Sequence, residues 1–570
     1  MTYFLPQADT VLSAARGLAL AHPGLIEVNS SPLYLWARKS NPNRTVALVS
    51  GGGSGHEPLH TGLLGPGGLD ALCPGEIFAS PHNRQIYEAG AAAAKSNGVL
   101  LIIKNHTGDV INFQIAAERL RHDGIPVATV LVDDDLATDN TDTATGRRGT
   151  TATVVLEKLL GAFADQGAKL EDLATLGADI VARSRSLAVA ARAQTSPSTA
   201  APAFDLSPGT LDYGVGIHGE RGTRTIDHRP VEELVRQMTD DLLEALPAGH
   251  DKVLAVVNGL GATTSLELHA IGSILHDLLT ARGITPLAIL PGTFTAAQDM
   301  AGFSITLTHM KAEWAELWTA PTETPLLLSP LTLAPDTAAS VVTEPAATPV
   351  HAGEQTPAGR AVLDRYSEIV SQAHDNLTAL DQLVGDGDFG DNLVGGVRRA
   401  VKRNESATDG VAALAEAFLN DVGGTSGPLF GLLFQDLATV SWSDNQAPDA
   451  LSVADAAKSS LAAIHRVGGA KVGDCTLVDA LAPAIGALAK AGREAADSPF
   501  TAAAEAAIQG ALSTASLTPR RGRASYVGQH AIGVPDPGSF GVALLFTALA
   551  SVYEPATATR LPDPQRITSP

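Results

Sequence analysis

Residues 46–58, VALVSGGGSGHEP, join a short apolar run to three consecutive glycines and then to a histidine and a glutamate. Residues 45–49 are β-branched or apolar and carry no charge, which predicts a buried strand. The glycines let the backbone turn sharply and leave its amides open to a ligand, because a Cβ would obstruct that approach. His56 follows at the carboxyl end of the strand, where ligands bind in open α/β sheets. We therefore expect a ligand site at this turn.

Three common motifs do not describe this segment. It lacks the lysine of the P-loop, G-x-x-x-x-G-K-[ST]. It also differs from the hydrolase elbow G-x-S-x-G, since His56 stands where the last glycine belongs. Residues 56–60 do match the zinc motif H-E-x-x-H, but that motif needs a continuous helix, which Pro58 would interrupt. A glycine turn beside a surface histidine is the structural alternative.

The composition narrows the class of protein. The chain has 570 residues, 18% charged and 45% hydrophobic, which predicts several well-packed domains rather than a disordered protein. The formal net charge of −22 argues against nucleic acid as a partner, because surfaces that bind phosphate backbones are basic. An acidic protein that handles phosphates usually needs a metal ion to screen them.

The cysteines and the first residues indicate where the protein works. Cys73 and Cys475 are about 400 residues apart, so no disulfide framework is implied and we expect a reducing cytoplasm. The first 23 residues lack a basic start, and Asp9 interrupts their apolar part, so we expect no signal peptide. No run of about 18 apolar residues occurs, and we expect no membrane-spanning helix.

Two segments divide the chain. Strand-like and helix-like stretches alternate in residues 1–330, which predicts an α/β domain, and a Pro- and Ser-rich loop splits it into lobes of about 1–195 and 205–330. Both lobes are predicted to contain mostly parallel sheets. Residues 331–357 are rich in Pro, Thr and Ala and are predicted to form an extended linker. Residues 358–570 are alanine-rich with apolar residues at helical spacing, which predicts an all-α domain.

Three further places in the first domain combine polar side chains with turn residues. Lys104 and Asp109 bracket a turn at the carboxyl end of another predicted strand. Residues 145–149 form a short basic loop before a predicted helix, and His218 is a lone histidine among glycines. Each of them, taken alone, also fits a solvated turn or a hydrogen-bonded loop histidine.

Together, segments such as GGGSGHEP (51–58) and GVGIHGE (214–220) resemble the substrate domain of the dihydroxyacetone kinases over almost all of the first domain. The resemblance implies that His218 bonds covalently to the carbonyl carbon of a ketose as a hemiaminal. It also implies that Asp109 accepts the proton of the hydroxyl that attacks phosphorus, while His56 acts at the other end of the substrate. A neutral imidazole is a nucleophile and a ketone is electrophilic, so the adduct selects carbonyl compounds over polyols.

The same resemblance assigns further contacts with the ketose. Gly53 and Ser54 would offer turn donors, and Lys104 would be a cationic tether. Two residues depart from the family pattern: His106 stands where many members have tyrosine, and Arg221 stands where proline is common. Both departures lie near the expected pocket and bear on the choice of sugar.

Residues 380–392, LDQLVGDGDFGDN, carry the strongest signal of the second domain. Their glycines satisfy G-x-G-x-x-G, but no strand precedes them and the intervening aspartates would repel a pyrophosphate. An EF-hand is excluded because Val397 occupies the position that needs a bidentate glutamate. What remains is a turn that bears Asp381, Asp386 and Asp388. Clustered carboxylates suit Mg²⁺ bound to nucleotide phosphates, and a solvated acidic loop is the alternative.

Three later segments, 422–428, 468–477 and 522–538, resemble in order the helical nucleotide domain of the same kinases. The resemblance implies a nucleotide-binding helical barrel or bundle in which the three aspartates hold magnesium. The residues that it places at ATP are Phe389, Gly390, Asn392, Thr425, Ser426, Gly468, Thr476, Arg523 and Gly538. Two residues beside this site, Phe389 and Cys475, depart from those common in the family.

The sequence thus predicts an ATP- and Mg²⁺-dependent kinase of a short ketose, with dihydroxyacetone as the expected substrate. We expect a cytoplasmic homodimer without nucleic-acid or membrane partners. A kinase of the four-carbon ketose erythrulose is one alternative, and an FAD-AMP lyase that cyclises FMN is another. A binding regulator is a third, which the intact metal and phosphate segments disfavour.

Overall fold

The computed structural model describes residues 4–6, 8–139, 146–195, 201–249, 251–327, 356–384, 387–404, 409–422, 426–442, 447–521, 524–527 and 531–568. The chain divides into two compact units, Met1–Val341 and Val342–Pro570. The first is α/β and the second is helical, so the predicted fold class is confirmed. The predicted linker, 331–357, falls almost entirely outside the described residues, and the domain limits at 330 and 358 stay a prediction.

The first unit contains two sheets covered by helices. Its strands are β1 (Ile26–Ser30), β2 (Leu33–Ala37), β3 (Ala47–Ser54), β4 (Ala71–Ile77), β5 (Val99–Lys104), β6 (Val127–Val132), β7 (Ser184–Arg192), β8 (Thr210–Tyr213), β9 (Arg224–Asp227), β10 (Lys252–Gly259), β11 (Thr285–Gly292) and β12 (Ala301–His309). Its helices are α1 (Thr10–Ala21), α2 (Asn83–Ala93), α3 (Thr107–His122), α4 (Ala152–Asp165), α5 (Leu170–Ala182), α6 (Val231–Ala245), α7 (Ser265–Ala281) and α8 (Trp314–Thr319).

The first sheet has the strand order β1-β2-β4-β3-β5-β6. Its last four strands in that order are parallel, because helices such as α2 and α3 carry the chain back between them. Both β3 and β5 are buried along their whole length, which agrees with their apolar composition. Their carboxyl ends therefore lie side by side at one edge of this sheet.

The second sheet has the order β11-β10-β12-β7-β8-β9 and is mostly antiparallel, so the prediction of mostly parallel strands is wrong for this lobe. Only β10 and β11 are parallel, and α7 connects them. The pairs β7–β8, β8–β9, β10–β12 and β7–β12 are antiparallel. After β8 and β11 the chain reverses direction through loops without a crossover helix, which permits this direction. Since β7 belongs to this sheet, the predicted lobe limit near 195 also comes too late.

The glycines after the first apolar run continue the strand instead of ending it. The predicted strand 45–49 is observed as β3, which extends to Ser54. A Cβ on Gly51 would lie 2.4 Å from the carbonyl oxygen of Cys73, and one on Gly52 would lie 2.6 Å from the Nζ of Lys104. The glycines are needed for this close approach of neighbours more than for a turn.

The second unit is built from α9 (Pro357–Val384), α10 (Phe389–Asn404), α11 (Gly410–Asn420), α12 (Ser426–Leu437), α13 (Ala450–Gly468), α14 (Val478–Arg493), α15 (Pro499–Ser513), α16 (Ala524–Val527), α17 (Pro537–Tyr553), α18 (Pro555–Ala558) and α19 (Pro564–Ile567). Helix α17 is buried on all sides over most of its length, as expected for the central helix of a bundle. Phe418, Phe430 and Phe434 pack together in the surrounding core. Among the described helices, none combines the length and the hydropathy needed to cross a bilayer.

We predict that residues 1–330 and 358–570 fold when they are expressed separately, because each contains its own hydrophobic core. When they are mixed, the kinase activity that the resemblance implies should be weak and should rise with protein concentration, since the linker no longer supplies an effective local concentration. Circular dichroism and a coupled ADP-release assay measure the two outcomes. Insolubility of both fragments would argue against these limits.

Candidate active site

His56 lies just beyond the end of β3 and is fully buried. Its Nδ1 is 2.9 Å from the carbonyl oxygen of Ala296, and a carbonyl can only accept a hydrogen bond. The neutral ring therefore carries its hydrogen on Nδ1, which leaves the lone pair on Nε2. Nε2 is buried and has no hydrogen-bond partner among the described residues. The loop that supplies Ala296 is held by Asn258, whose side chain accepts from two of its amides and donates to the carbonyl of Thr295.

Lys104 and Asp109 bring opposite charges to the same edge of the sheet. Lys104 is the last residue of β5, and Asp109 lies in the first turn of α3. Both are buried, and neither the Lys104 Nζ nor the Asp109 Oδ1 finds a hydrogen-bond partner in the described part of the chain. Burial lowers the pKa of Lys104, while the charges of Asp109 and Glu157 oppose that shift. Buried polar atoms without partners mark a site for a ligand or for water.

His218 lies on the loop between β8 and β9 and stands between two other histidines. The centre of its ring is 4.7 Å from that of His56 and 4.4 Å from that of His106. Phe78 closes the group, with its ring centre 5.3 Å from that of His56 and 6.2 Å from that of His218. Four side chains from distant parts of the sequence thus form one aromatic cluster.

Glu220 fixes the orientation of His218. One carboxylate oxygen accepts the backbone N–H of His218 at 2.9 Å, and the other lies 3.4 Å from its Nδ1. Burial raises the pKa of Glu220, but the hydrogen bond and charge of His218 outweigh it and lower that pKa to about 2. Arg148, itself 2.6 Å from the carboxylate of Asp135, adds its charge 4.0 Å from Glu220. A carboxylate on Nδ1 leaves Nε2 of His218 as the nucleophilic nitrogen, as in a catalytic triad.

The two flanking histidines are neutral at physiological pH. Burial, together with the charges of Lys104 and His218, lowers the pKa of His56 well below its ordinary value. Burial and the charges of His218 and Lys104 lower the pKa of His106 to about 3. The Nε2–H of His106 donates to the carbonyl oxygen of Gly149 at 2.9 Å, which leaves its Nδ1 with the lone pair.

The second unit contains a cavity of about 220 Å³. It is lined by seven of the predicted residues: Asp381, Asp388, Phe389, Asn392, Gly468, Thr476 and Gly538. Helices α10, α14 and α17 all begin at its wall. Helix N-termini carry partial positive charge and unpaired N–H groups, so three of them together favour a phosphate group.

Carboxylates gather on one side of this cavity. Asp536 is half-buried, and burial, with added repulsion from Asp479 and Asp381, raises its pKa to about 7. Carboxylates crowded in this way repel one another unless a cation relieves them. Their oxygen ligands suit Mg²⁺, so the residues fit the metal that the sequence predicts.

Some predicted nucleotide residues lie elsewhere. Gly390 does not line the cavity but packs against α9, where a Cβ on it would lie 2.1 Å from the Oγ1 of Thr378. Asp386, Thr425 and Arg523 lie outside the described residues, as does the side chain of Ser426, the first residue of α12.

The sequence matches two family profiles, a Dak1 domain over residues 16–326 and a DAK2 domain over residues 383–551. It is 34% identical to L-erythrulose 1-kinase of Mycolicibacterium smegmatis over 96% of this chain and 99% of that protein. It is 32% identical to triokinase/FMN cyclase of Rattus norvegicus over 96% of this chain and 97% of that protein. The chain belongs to the dihydroxyacetone kinase family.

A solved structure agrees with this assignment. The dihydroxyacetone kinase from C. freundii in complex with AMP-PNP and Mg²⁺ matches with a TM-score of 0.61 and 31% sequence identity, over 97% of this chain and 99% of that one. The chain is therefore a kinase of the dihydroxyacetone kinase family, with its α/β unit followed by its helical unit. The expected homodimer and cytoplasmic location stay predictions.

Four of the residues predicted for the ketose site lie together in this family member. The structure brings His56, Lys104, Asp109 and His218 to one edge of the first sheet, and their roles stay predictions. Gly53 and Ser54 lie inside β3, so their prediction as turn residues is wrong. The Ser54 hydroxyl donates to the carbonyl of Gly75 at 2.7 Å within the sheet. Contact of Gly53 and Ser54 with a ketose stays a prediction.

Glu220 and Arg148 were not assigned roles from the sequence. Glu220 is two residues from His218 in the same motif, and Arg148 belongs to the basic loop that was singled out. Both residues thus belong to motifs that the sequence shows. Only the folded loop shows that Arg148 faces Glu220 and that Glu220 faces His218.

We predict that His106→Gln makes the first unit less sensitive to acid. A histidine whose pKa is about 3 when folded and about 6.5 when unfolded binds its proton only on unfolding across that window. Wild-type stability should therefore fall as the pH drops below about 6.5, by up to about 1.4 kcal/mol per pH unit from this residue. Glutamine does not titrate and retains a donor for the Gly149 carbonyl.

The measurement is urea unfolding of both proteins between about pH 7 and pH 5. Tryptophan fluorescence follows the first unit, since Trp36, Trp314 and Trp318 lie there and only Trp442 lies in the second unit. Parallel stability curves for the two proteins would show that folded His106 binds a proton as readily as the unfolded residue does.

Proposed function

We propose that this kinase transfers a phosphoryl group from ATP to a hydroxyl of dihydroxyacetone while the ketone is bound covalently to His218. The observation that carries the proposal is the pairing of His218 with Glu220, which directs the lone pair of its Nε2 away from the carboxylate. Neutral His56 and His106 flank the ring, so the adduct forms in a pocket of neutral imidazoles.

The covalent step is an addition of N–H across the carbonyl bond. The Nε2 of His218 forms a bond with the carbonyl carbon, and the π electrons of the C=O bond move to the oxygen. As positive charge develops on the ring, the Nδ1–H proton leaves by way of Glu220 to solvent, and the carbonyl oxygen takes up one proton from solvent. The product is a neutral hemiaminal, with no net gain or loss of protons.

Asp109 is proposed as the base for the phosphoryl acceptor. Its buried Oδ1 has no hydrogen-bond partner among the described residues, and the charge of Lys104 lies close to it. It would accept the proton of the substrate hydroxyl as that oxygen attacks phosphorus. The Nε2 of His56 would accept a hydrogen bond from a hydroxyl at the other end of the ketose.

The nucleotide would be held in the cavity of the second unit. Asp381 and Asp388, with Asp386 by resemblance to the family, would hold Mg²⁺, and the helix N-termini would receive the phosphates. When bound, the metal neutralises charge on the transferred phosphoryl group.

Erythrulose is a second candidate substrate. The chain is 34% identical over almost its whole length to an L-erythrulose 1-kinase. In addition, the His106 ring lies 4.4 Å from the His218 ring, so it contacts whatever carbon chain extends from the anchored carbonyl on that side. The kinetic panel below compares dihydroxyacetone with both enantiomers of erythrulose, and the higher kcat/KM identifies the substrate.

We predict that His218→Ala removes most of the discrimination between ketones and polyols. Only the covalent bond senses the carbonyl directly, so the ratio of kcat/KM for dihydroxyacetone to that for glycerol should fall at least about a hundredfold. The measurement is a coupled ADP assay with dihydroxyacetone, D- and L-erythrulose, glyceraldehyde and glycerol. His56→Ala is the matched control, which should lower kcat but keep the ratio.

Crystals of the wild type with dihydroxyacetone should show density continuous from the Nε2 of His218 to a tetrahedral carbon. A ketone that is trigonal at carbon and remote from His218 would refute the covalent anchor.

We predict that Asp388→Asn strongly slows phosphoryl transfer but leaves ketone binding intact. The carboxylate lines the cavity of the second unit, whereas the ketose site lies in the first. Loss of a metal ligand should cost about 3 kcal/mol of transition-state stabilisation, slightly more than a hundredfold in kcat. Ketone binding is measured by calorimetry without nucleotide, and normal kcat at saturating Mg²⁺ would contradict the metal assignment.

A further inference from the structure

Three side chains of the proposed ketose site also form a cluster of possible metal ligands. One ring nitrogen of His106, one of His218 and a carboxylate oxygen of Glu220 all lie within 4.8 Å of one another. His106 precedes α3, whereas the other two lie on the loop after β8. Each of the three is only partly buried, so an ion from solvent reaches them.

The hydrogen bonds of these residues present the right atoms. The Nε2–H of His106 donates to the carbonyl of Gly149 at 2.9 Å, so the lone pair is on Nδ1. Histidines that bind metals commonly donate their other N–H to a carbonyl in this way. The Nδ1 of His218 lies 3.4 Å from a carboxylate oxygen of Glu220, the third residue of the cluster.

Glu220 is also held in place. Its second oxygen accepts the backbone N–H of His218 at 2.9 Å, and Arg148 lies 4.0 Å from that oxygen. Arg148 is in turn fixed by the carboxylate of Asp135 and by the carbonyl of Gly214. The carboxylate therefore keeps its direction without an ion.

We propose that His106, His218 and Glu220 bind a divalent transition-metal ion of the Zn²⁺ class. Two imidazoles and a glutamate are a ligand set that zinc uses, with the fourth position left to water. Mg²⁺ prefers an all-oxygen, octahedral environment and is not expected here. This site is separate from the aspartate cluster of the second unit.

The ion and the ketose exclude each other. An imidazole that binds the metal through Nδ1 carries its remaining hydrogen on Nε2, which leaves that nitrogen no lone pair for the carbonyl carbon. Zn²⁺ therefore inhibits the kinase by competing with the ketose and not with ATP. This consequence rests on the proposed covalent function, but binding of the ion does not.

The binding test is calorimetric titration of the full-length protein with Zn²⁺ in excess Mg²⁺, which saturates the aspartate cluster. We expect one Zn²⁺ per chain, with an affinity that falls more than about tenfold in His106→Gln and in Glu220→Gln. The matched control is His374→Gln, which removes a half-buried histidine that lies 2.8 Å from both Asp375 and Asp391. This variant should bind Zn²⁺ as the wild type does.

A second measurement does not depend on the stability of the variants. Wild-type crystals soaked in Zn²⁺ should show an anomalous peak at the zinc edge between the three side chains. Zn²⁺ affinity that is unchanged in both variants, or a peak only at other sites, would overturn the proposal.

Inhibition separates this proposal from the kinase mechanism. Competition between Zn²⁺ and dihydroxyacetone in the wild type, weakened in His106→Gln relative to that variant's own activity, supports both. Zn²⁺ bound at the three residues without competition would leave the metal site standing and overturn the covalent role of His218.

Discussion

The burial of the Lys104 ammonium against a glycine strand is the constraint on which the first site depends. An ammonium in the protein interior is costly unless opposite charges surround it, and Asp109 and Glu157 supply those charges. The position is available only because Gly52 has no side chain, since a Cβ would lie 2.6 Å from Nζ. Burial, and after it this positive charge, lowers the pKa of His56, so the buried cation helps to keep the neighbouring imidazole neutral.

The two units present polar and charged groups to their expected ligands in different ways. In the first, fixed side chains leave buried polar atoms without protein partners, which suits a small polar substrate. In the second, three helix N-termini and a group of carboxylates meet at one cavity, so sites for anions and for a cation lie side by side. That arrangement suits a metal–phosphate pair better than either ion alone. Both sites thus follow from backbone direction, at strand ends in one unit and at helix starts in the other.

The sequence predicted what depends on local pattern and missed what depends on contacts between distant segments. The α/β and helical halves, the first parallel sheet and the histidines near its strand ends follow from periodicity, turn residues and resemblance. The antiparallel second sheet was missed because loops and crossover helices both appear in the sequence as interruptions between apolar runs. The sequence also did not show that Gly390, predicted to contact the nucleotide, is needed for the close packing of α10 on Thr378. The role of Glu220 depends on a folded loop and had no periodic signal.

The hydrogen bond between His56 and Ala296 crosses from one lobe of the first unit to the other. A histidine of the first sheet thus takes its tautomer from a carbonyl beside the second, and Asn258 of the second sheet fixes that carbonyl's loop. If recombination joined the first lobe to a different second lobe, His56 would be retained, but the carbonyl that places its hydrogen on Nδ1 would be lost. Selection would therefore act on the two lobes as a single heritable module, even though each has its own sheet.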